Sequence, residues 1–296
     1  MVFDGVIKTS DFVQQNSSVC AFTDESAWVI LSPIEMSIKR KIESVGTPLK
    51  NWNIQIYGGV LTGLNEAFII SSEKREEILD NCLTKEERAR TDEVIRPILR
   101  GKDIKRYEFA WNGLYLCWIP WHFPLHLDPS IQGASEKAEK AFKQEYPALY
   151  NHLLNFKELL SKRNAAETGI RYEWYALQRW GANYWDDFNK QKICWNRIAS
   201  EKQFALVPEG VYILDSMHFI VGKNLNYLCS VLNSKLIQWL LNLLIGDAAG
   251  GNAGNADNVL NLSIPLGKND VKITDETVYR LYGLTPDEIK YVELNS

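Results

Sequence analysis

This sequence predicts an α+β fold: a mixed β-sheet with packed helices and a C-terminal helical region. Three observations carry that expectation. Short strand-type runs recur at 113–119, 191–198, 203–207 and 211–221. Helix-type stretches fall between them without regular strand–helix–strand alternation, which separates α+β from a doubly wound parallel sheet. Leu225 to Ile245 is densely apolar at helical spacing and has no proline, as expected of one long packing helix or a buried pair.

Taken in order, residues 1–26 are mixed and polar with no strong period. They read as a leading segment that belongs to something upstream. Ser32-Pro-Ile-Glu35 is a helix start: a serine cap, proline in the first turn and glutamate three residues after the cap. That helix should run to about Ser44 and stop before Gly46-Thr-Pro48. Strands are expected around 52–57, where Ile54 and Ile56 alternate with other residues, and 66–70, where Ala67 to Ile70 form an apolar run. Gly58, Gly59 and Gly63 lie between them, with Thr62 and Asn65 at the tip, so a sharply bent hairpin is the expectation. Charged helical segments follow at 73–79 and 84–97. Residues 135–162 read as helices broken near Pro147, with Leu149, Leu153, Phe156 and Leu160 on one face. The glycine, alanine and asparagine tract 246–258 predicts a flexible loop, and Thr285-Pro-Asp-Glu288 caps a terminal helix. Three regions result: a leading segment 1–26, a sheet-containing domain 27–224, and a helical packing region 225–296.

Composition narrows the function classes. Hydrophobic residues make up 46% and charged residues 24% of 296, the balance of a soluble globular protein. The formal net charge of −4 argues mildly against nucleic acid as a partner but leaves room for a local basic face. Five cysteines, odd in number and without a Cys-x-x-Cys pair, suit reduced thiols in a cytoplasm rather than a disulfide framework or a zinc site. His122 and His126 are four residues apart, but Pro124 between them disfavours the helix that would align them on a metal. No signal peptide and no membrane-length apolar run is present, so a cytoplasmic location is expected.

Familiar catalytic patterns fail one by one. The Gly58–Gly63 stretch lacks the lysine of a phosphate loop and the glycine spacing of a dinucleotide site. Pro286-Asp-Glu-Ile-Lys290 has the letters of a metal-dependent nuclease on one short helix, where they cannot occupy separate strands. There is no Asn-Pro-Pro-Tyr-type loop to hold a flipped adenine and no Gly-x-Ser-x-Gly elbow. The chain alone is therefore expected not to be an enzyme.

Basic and aromatic segments are more promising. Arg96 to Tyr107 gathers five cations (Arg96, Arg100, Lys102, Lys105 and Arg106) around a glycine turn. Such groups suit phosphate oxygens, although a solvated surface turn is the plain alternative. Arg171-Tyr-Glu-Trp-Tyr-Ala-Leu-Gln-Arg-Trp180, preceded by Lys162 and Arg163, interleaves aromatics with arginine and glutamine. It can stack on bases and read their edges, or it can be core tryptophan beside snorkelling arginine. Arg171, Gln178 and Arg179 are the better contact candidates, and Asn196-Arg197 forms a third cluster.

In this order the segments resemble the TaqI-like target-recognition domain of type IIG restriction–modification enzymes and related adenine-specific DNA methyltransferases. The matching pieces are Trp28-Val-Ile-Leu-Ser32 with Glu35 and Lys41-Ile-Glu43, then Ile56-Tyr-Gly-Gly-Val-Leu-Thr-Gly-Leu-Asn-Glu-Ala-Phe68. They continue with Ile95 to Tyr107, Arg163, Trp174-Tyr-Ala-Leu177, Lys192-Ile193, Leu232-Asn-Ser-Lys235 and Val278 to Glu293. The resemblance implies that 27–224 is a DNA target-recognition domain. It also implies that methyltransferase and nuclease domains accompany it in cis or in trans, and that S-adenosylmethionine and magnesium are needed only there. Double-stranded DNA is the implied partner. Lys102, Lys105 and Arg106 would meet phosphates, and Arg171, Gln178, Arg179 or Arg197 would read base edges. Thr62, Asn65, Arg100, Arg163 and Asn196 complete the expected contact set. A competing expectation is a protein-interaction scaffold subunit of such a complex, with the tryptophans and the 225–245 helix as its docking face.

Overall fold

The computed structural model describes residues 31–197, 203–246, 255–267 and 270–296. The leading segment and most of the tract 246–258 therefore lie outside the described residues, as does the Trp28–Ile30 part of the first matching piece. The strands are β1 (Thr47–Pro48), β2 (Ile54–Gly58), β3 (Ile69–Ser71), β4 (Ile95–Leu99), β5 (Leu114–Cys117), β6 (Lys192–Asn196), β7 (Phe204–Val207), β8 (Tyr212–Ile213), β9 (Met217–Gly222) and β10 (Ser263–Ile264). They form an antiparallel sheet in the order β2-β9-β6-β7, a mixed sheet β3-β5-β4-β8, and a small β1-β10 pair. The architecture is α+β.

The antiparallel sheet sits between two apolar cores. Cys194, Ala205, Val207, Met217, Phe219 and Val221 face one core, shared with the mixed sheet. Ile54, Ile193, Trp195, Phe204 and Ile220 face the other, which is closed by Pro33–Val45 and the C-terminal helices. Alternate side chains of a strand point to opposite faces, so a sheet covered on both sides reads as an unbroken apolar run. That explains why 191–198 and 203–207 are legible as strands without an alternating pattern.

Helix boundaries follow their caps. Ser32 accepts the Glu35 N–H and Glu35 reaches back to the Ser32 N–H, opening the helix Pro33–Val45. Thr285 and Glu288 repeat this device at Pro286–Asn295. The helices Glu136–Glu145, Pro147–Leu154 and Lys157–Lys162 divide the expected 135–162 stretch, with the break at Pro147. The apolar stretch resolves into a pair, Leu225–Leu232 and Lys235–Gly246. Leu228, Val231, Leu232, Leu236, Ile237 and Leu241 are all buried in the second core. The docking face expected of that helix is thus turned inward, because its hydrophobic side is used to cover the sheet. The expected charged helix at 84–97 ends at Val94 and passes directly into β4. At the edge of the tract, Ala256–Leu260 is a helical turn, so that part of the expected loop is structured.

The hairpin across residues 54–70 does not form. β2 pairs antiparallel with β9, Ile54 opposite Gly222 and Gly58 opposite His218. β3 pairs with β5, Ile69 opposite Leu116. Asn65–Phe68 is a helical turn that buries the consecutive Ala67 and Phe68, which an alternating strand would not do. Local alternation identifies a strand but not its partner, and here the two partners lie in different sheets. The Gly58–Asn65 connection therefore ties the two sheets together.

Candidate nucleic-acid interface

Four segments far apart in sequence meet at the turn Leu214–Met217, closed by a Met217 N–H bond to the Leu214 carbonyl at 2.9 Å. Val60 receives the Asp215 N–H at 2.9 Å and donates to Ile213 at 2.9 Å. Gly59 donates to the Met217 carbonyl at 3.1 Å, and Leu214 donates to Leu99 at 3.2 Å. Arg197 donates to Ser216 at 2.9 Å. On its other side the 60–61 segment exchanges two bonds with Arg179, both 2.9 Å, through Leu61. Finally, Asn196 packs its amide so closely on Gly101 that a Cβ there would lie 2.5 Å from its nitrogen. The expected clusters at 100–106, 178–179 and 196–197 are thus brought to one edge, fastened by backbone bonds.

The side chains at that edge divide into two groups. Lys102, Lys105, Arg179 and Arg197 are exposed, and among the described residues their side chains have no hydrogen-bond or ion-pair partner. The other cations of the expected set are engaged. Arg100 forks onto Asp103 with Nε and Nη2, each at 3.1 Å, while the same buried carboxylate takes the Arg100 N–H at 2.8 Å and the Asn112 amide at 2.9 Å. Burial alone would raise the Asp103 carboxyl, but these donors outweigh it and hold it below its usual range. Arg106 donates to the Asn233 carbonyl, lies 4.0 Å from Asp275, and covers the Tyr107 ring. It joins the sheet region to the C-terminal helices. Arg171 pairs with Glu167 at 2.5 Å and stacks over Trp121.

Arg163 and Thr62 are corrections. Thr62 is only 2% exposed, and its hydroxyl donates to the Asn65 Oδ1 at 2.6 Å. Arg163 is half-buried and donates to the carbonyls of Thr62, Trp174 and Ala176 while lying over the rings of Phe68 and Tyr172. Burial lowers its pKa to about 10. Both residues hold the Gly58–Asn65 connection in place, with the Thr62 hydroxyl and the Arg163 Nη groups bonded to internal partners. Asn65 remains exposed and Gln178 half-exposed. Gly63, at φ +75°, lets Gln178 and Arg163 approach: an added Cβ would lie 2.7 Å and 2.9 Å from them.

Two matching pieces of the sequence also prove architectural. Lys192 is fully buried, its ammonium donating to Pro208 and Val211 at 3.1 Å each, and burial lowers its pKa to about 8. Asn233 is fully buried and ties a helix end to β7, accepting the Phe204 N–H at 3.1 Å and returning a bond to its carbonyl at 2.7 Å. His122 and His126 part company: His122 pairs with the buried Glu173 at 3.0 Å, while His126 packs on Trp118. Among the described residues no three His, Cys, Asp or Glu side chains gather where they could hold a metal, and no helix is long and apolar enough to cross a membrane.

Sequence reasoning passed over Asp215 and Ser216, which occupy the centre of this edge. Their only local signal is a turn-favouring Asp-Ser pair. A rigid α+β frame that carries, on one edge, cations without partners among the described residues defines a surface suited to a polyanion. The chain belongs to the TaqI-like C-terminal specificity domain family, whose profile matches residues 96–250, more than half of its 296 residues. Among solved structures, the type IIG restriction endonuclease BpuSI is similar at 14% identity over 84% of this chain and 27% of that one, with a TM-score of 0.49. The type IIL restriction–modification enzyme MmeI, solved in complex with DNA, is similar at 12% identity over 75% of this chain and 24% of its own, with a TM-score of 0.37. The chain thus spans about a quarter of the length of these structures. No curated protein matches it.

Proposed function

We propose that this chain is the sequence-specific DNA-recognition module of a type II restriction–modification enzyme of the adenine-methylating kind, positioning duplex DNA for catalytic domains that lie outside it. The observation that carries the reading is the set of exposed cations without partners among the described residues, Lys102, Lys105, Arg179 and Arg197, inside the family-matched span. Charged groups left without an internal partner on a rigid frame are ready to meet phosphates or base edges. In this reading the 27–224 region reads DNA while 225–296 supports it. S-adenosylmethionine and magnesium are used by methyltransferase and nuclease domains in cis or in trans. The setting is the cytoplasm, where such enzymes meet DNA.

Lys102 and Lys105, on a loop edge, meet phosphates and set register. Arg179 and Arg197, next to the central turn, reach base edges, where one bidentate contact contributes about 1–3 kcal/mol of discrimination. Asn65, Gln178 and Asn196 flank them. The engaged arginines Arg100, Arg106 and Arg171 act at the DNA only by exchanging an internal partner for a phosphate.

A gel shift with random-sequence duplex at low salt, repeated across a salt series, tests the reading. Retardation at micromolar protein with a steep salt dependence is expected. A chain that retards no duplex, and instead elutes as a stable oligomer on sizing, would overturn it in favour of the scaffold subunit.

A further inference from the structure

We infer that Asp215, on the turn Leu214–Met217, is a base-reading residue that accepts a hydrogen bond from the exocyclic amine of a cytosine or an adenine in the major groove. The inference rests on the DNA-recognition reading and adds to it a residue of opposite charge from the expected contacts. Its geometry is unusually determined. Backbone bonds to Leu99, Val60, Gly59 and Arg197 fasten the turn, so its two central residues cannot move independently of the sheets. Asp215 and Ser216 are half-exposed, and among the described residues neither side chain has a hydrogen-bond or ion-pair partner.

The electrostatic setting says what kind of group the carboxylate can meet. Arg197 lies on the strand segment beside the turn, and Arg179 lies beyond the 60–61 segment on the other side. From Asp215 to Arg179 is two strand spacings of that kind, about 10 Å, the scale of a major groove. Arg100, next to Leu99, which accepts a bond from the turn, is held on Asp103. A carboxylate placed among cations but paired with none of them is repelled by phosphate, so on a DNA-facing edge it is satisfied by a donor. The donors that duplex DNA presents in the major groove are the N4 amine of cytosine and the N6 amine of adenine. Flanking arginines would hold the backbone or a guanine edge while Asp215 tests the neighbouring base for an amine.

The test uses the full chain and a duplex pool with a randomised central segment, comparing the wild type with Asp215→Asn and Asp215→Ala. Bound duplexes are recovered and sequenced, and affinities for the enriched sequence and its single-base variants are then measured. Asp215→Asn keeps the shape of the residue, and the side chain supports nothing internal, so both variants should melt like the wild type. The expected result is that the wild type enriches a motif with cytosine or adenine at one position, that Asp215→Ala loses about tenfold or more of that preference, and that Asp215→Asn, whose amide adds a donor beside its accepting oxygen, shifts it toward adenine, with other positions unchanged. Two results would overturn the assignment. One is an unchanged motif in both variants; the other is uniformly tighter binding of every sequence by Asp215→Ala, which would put the carboxylate beside a phosphate. A wild type that binds duplexes without enriching any motif would remove base reading by Asp215 and leave phosphate binding standing. A wild type that binds no duplex would instead remove the DNA-recognition reading itself.

Discussion

The connection Gly58–Asn65 and the turn Leu214–Met217 lie against each other, yet they hold their polar groups in opposite states. The first has the composition of a ligand loop, with three glycines, a threonine and an asparagine. In the folded chain its threonine is buried against Asn65 and its backbone is clasped by Arg163. The second has no motif-like composition, but it is fastened on several sides and leaves Asp215 and Ser216 without partners among the described residues. Availability for a ligand is thus decided by where the internal partners fall. Composition within a loop cannot report that.

The largest effect should come from the contact between the two. Gly59 approaches so closely that an added Cβ would lie 2.2 Å from the Leu214 carbonyl oxygen and 2.4 Å from that of Ile213. These are backbone atoms with no rotamer to yield. Gly59→Ala should therefore cost about 3 kcal/mol or more, at the upper end of overpacking, read from the urea midpoint. Gly58→Ala, whose Cβ would meet only the His218 ring at 3.9 Å, should change stability by less than about 0.5 kcal/mol. Equal effects at the two neighbours would show that the turns are not locked together as described.

Removing the clasp should come next. Arg163→Ala leaves the carbonyls of Thr62, Trp174 and Ala176 without their donor in a half-buried place. A loss of about 2 kcal/mol is expected, since a hydrogen bond to a charged group contributes about 1.5–3 kcal/mol. Arg163→Lys should recover little of it, because one ammonium cannot reproduce the planar fork. If Arg163→Ala melts like the wild type but binds DNA more weakly, the architectural role is wrong and the contact role expected from sequence is restored.

A pH probe separates both turns from the helical region that supports them. Burial alone would raise the Glu288 carboxyl, but Lys41, the Thr285 N–H and Ser37 outweigh it and bring its pKa to about 2 from an ordinary 4.5. The folded state therefore holds its proton less tightly than the unfolded chain does. This contribution is complete above about pH 4.5 and is lost as pH falls toward 2. Every tenfold change in proton affinity corresponds to about 1.4 kcal/mol, and partial solvent screening at Lys41 reduces the sum to about 2 kcal/mol. Glu288→Gln should lower stability at neutral pH and flatten its decline between pH 4.5 and 2. An unchanged acid limb in the variant would assign that decline to other carboxylates.

Much of this molecule is legible in its sequence, and the rest fails for identifiable reasons. Caps at Ser32 and Thr285, the break at Pro147 and the apolar pair after Leu225 depend on local bonds and local periodicity, and all appear where expected. Strand partners do not depend on local pattern. Ile54–Gly58 and Ile69–Ser71 look like one hairpin but enter separate sheets. Site residues fail in the same way. Arg163 and Arg179 are equivalent as letters, and only tertiary carbonyls distinguish the half-buried clasp from the cation that has no partner among the described residues. Asp215 is invisible in the sequence because its importance comes from three distant segments, at 59–60, 99 and 197, that converge on its turn.

The smallest effects test that distinction between engaged and unpartnered cations most directly. Lys102 is exposed and has no partner among the described residues, whereas Arg106 on the same loop is bonded to Asn233 and faces Asp275. Lys102→Ala should leave thermal melting unchanged, weaken binding to all sequences alike, and reduce the slope of log affinity against log salt by about 0.9, one phosphate's share. Arg106→Ala should do the reverse. Losing an exposed ion pair and a carbonyl bond between the sheet region and the C-terminal helices should lower stability by about 1 kcal/mol, with the salt slope retained. A flattened slope in Arg106→Ala without loss of stability would mean that DNA draws this arginine away from Asn233. The boundary between supporting and contacting residues would then lie one side chain further along the loop.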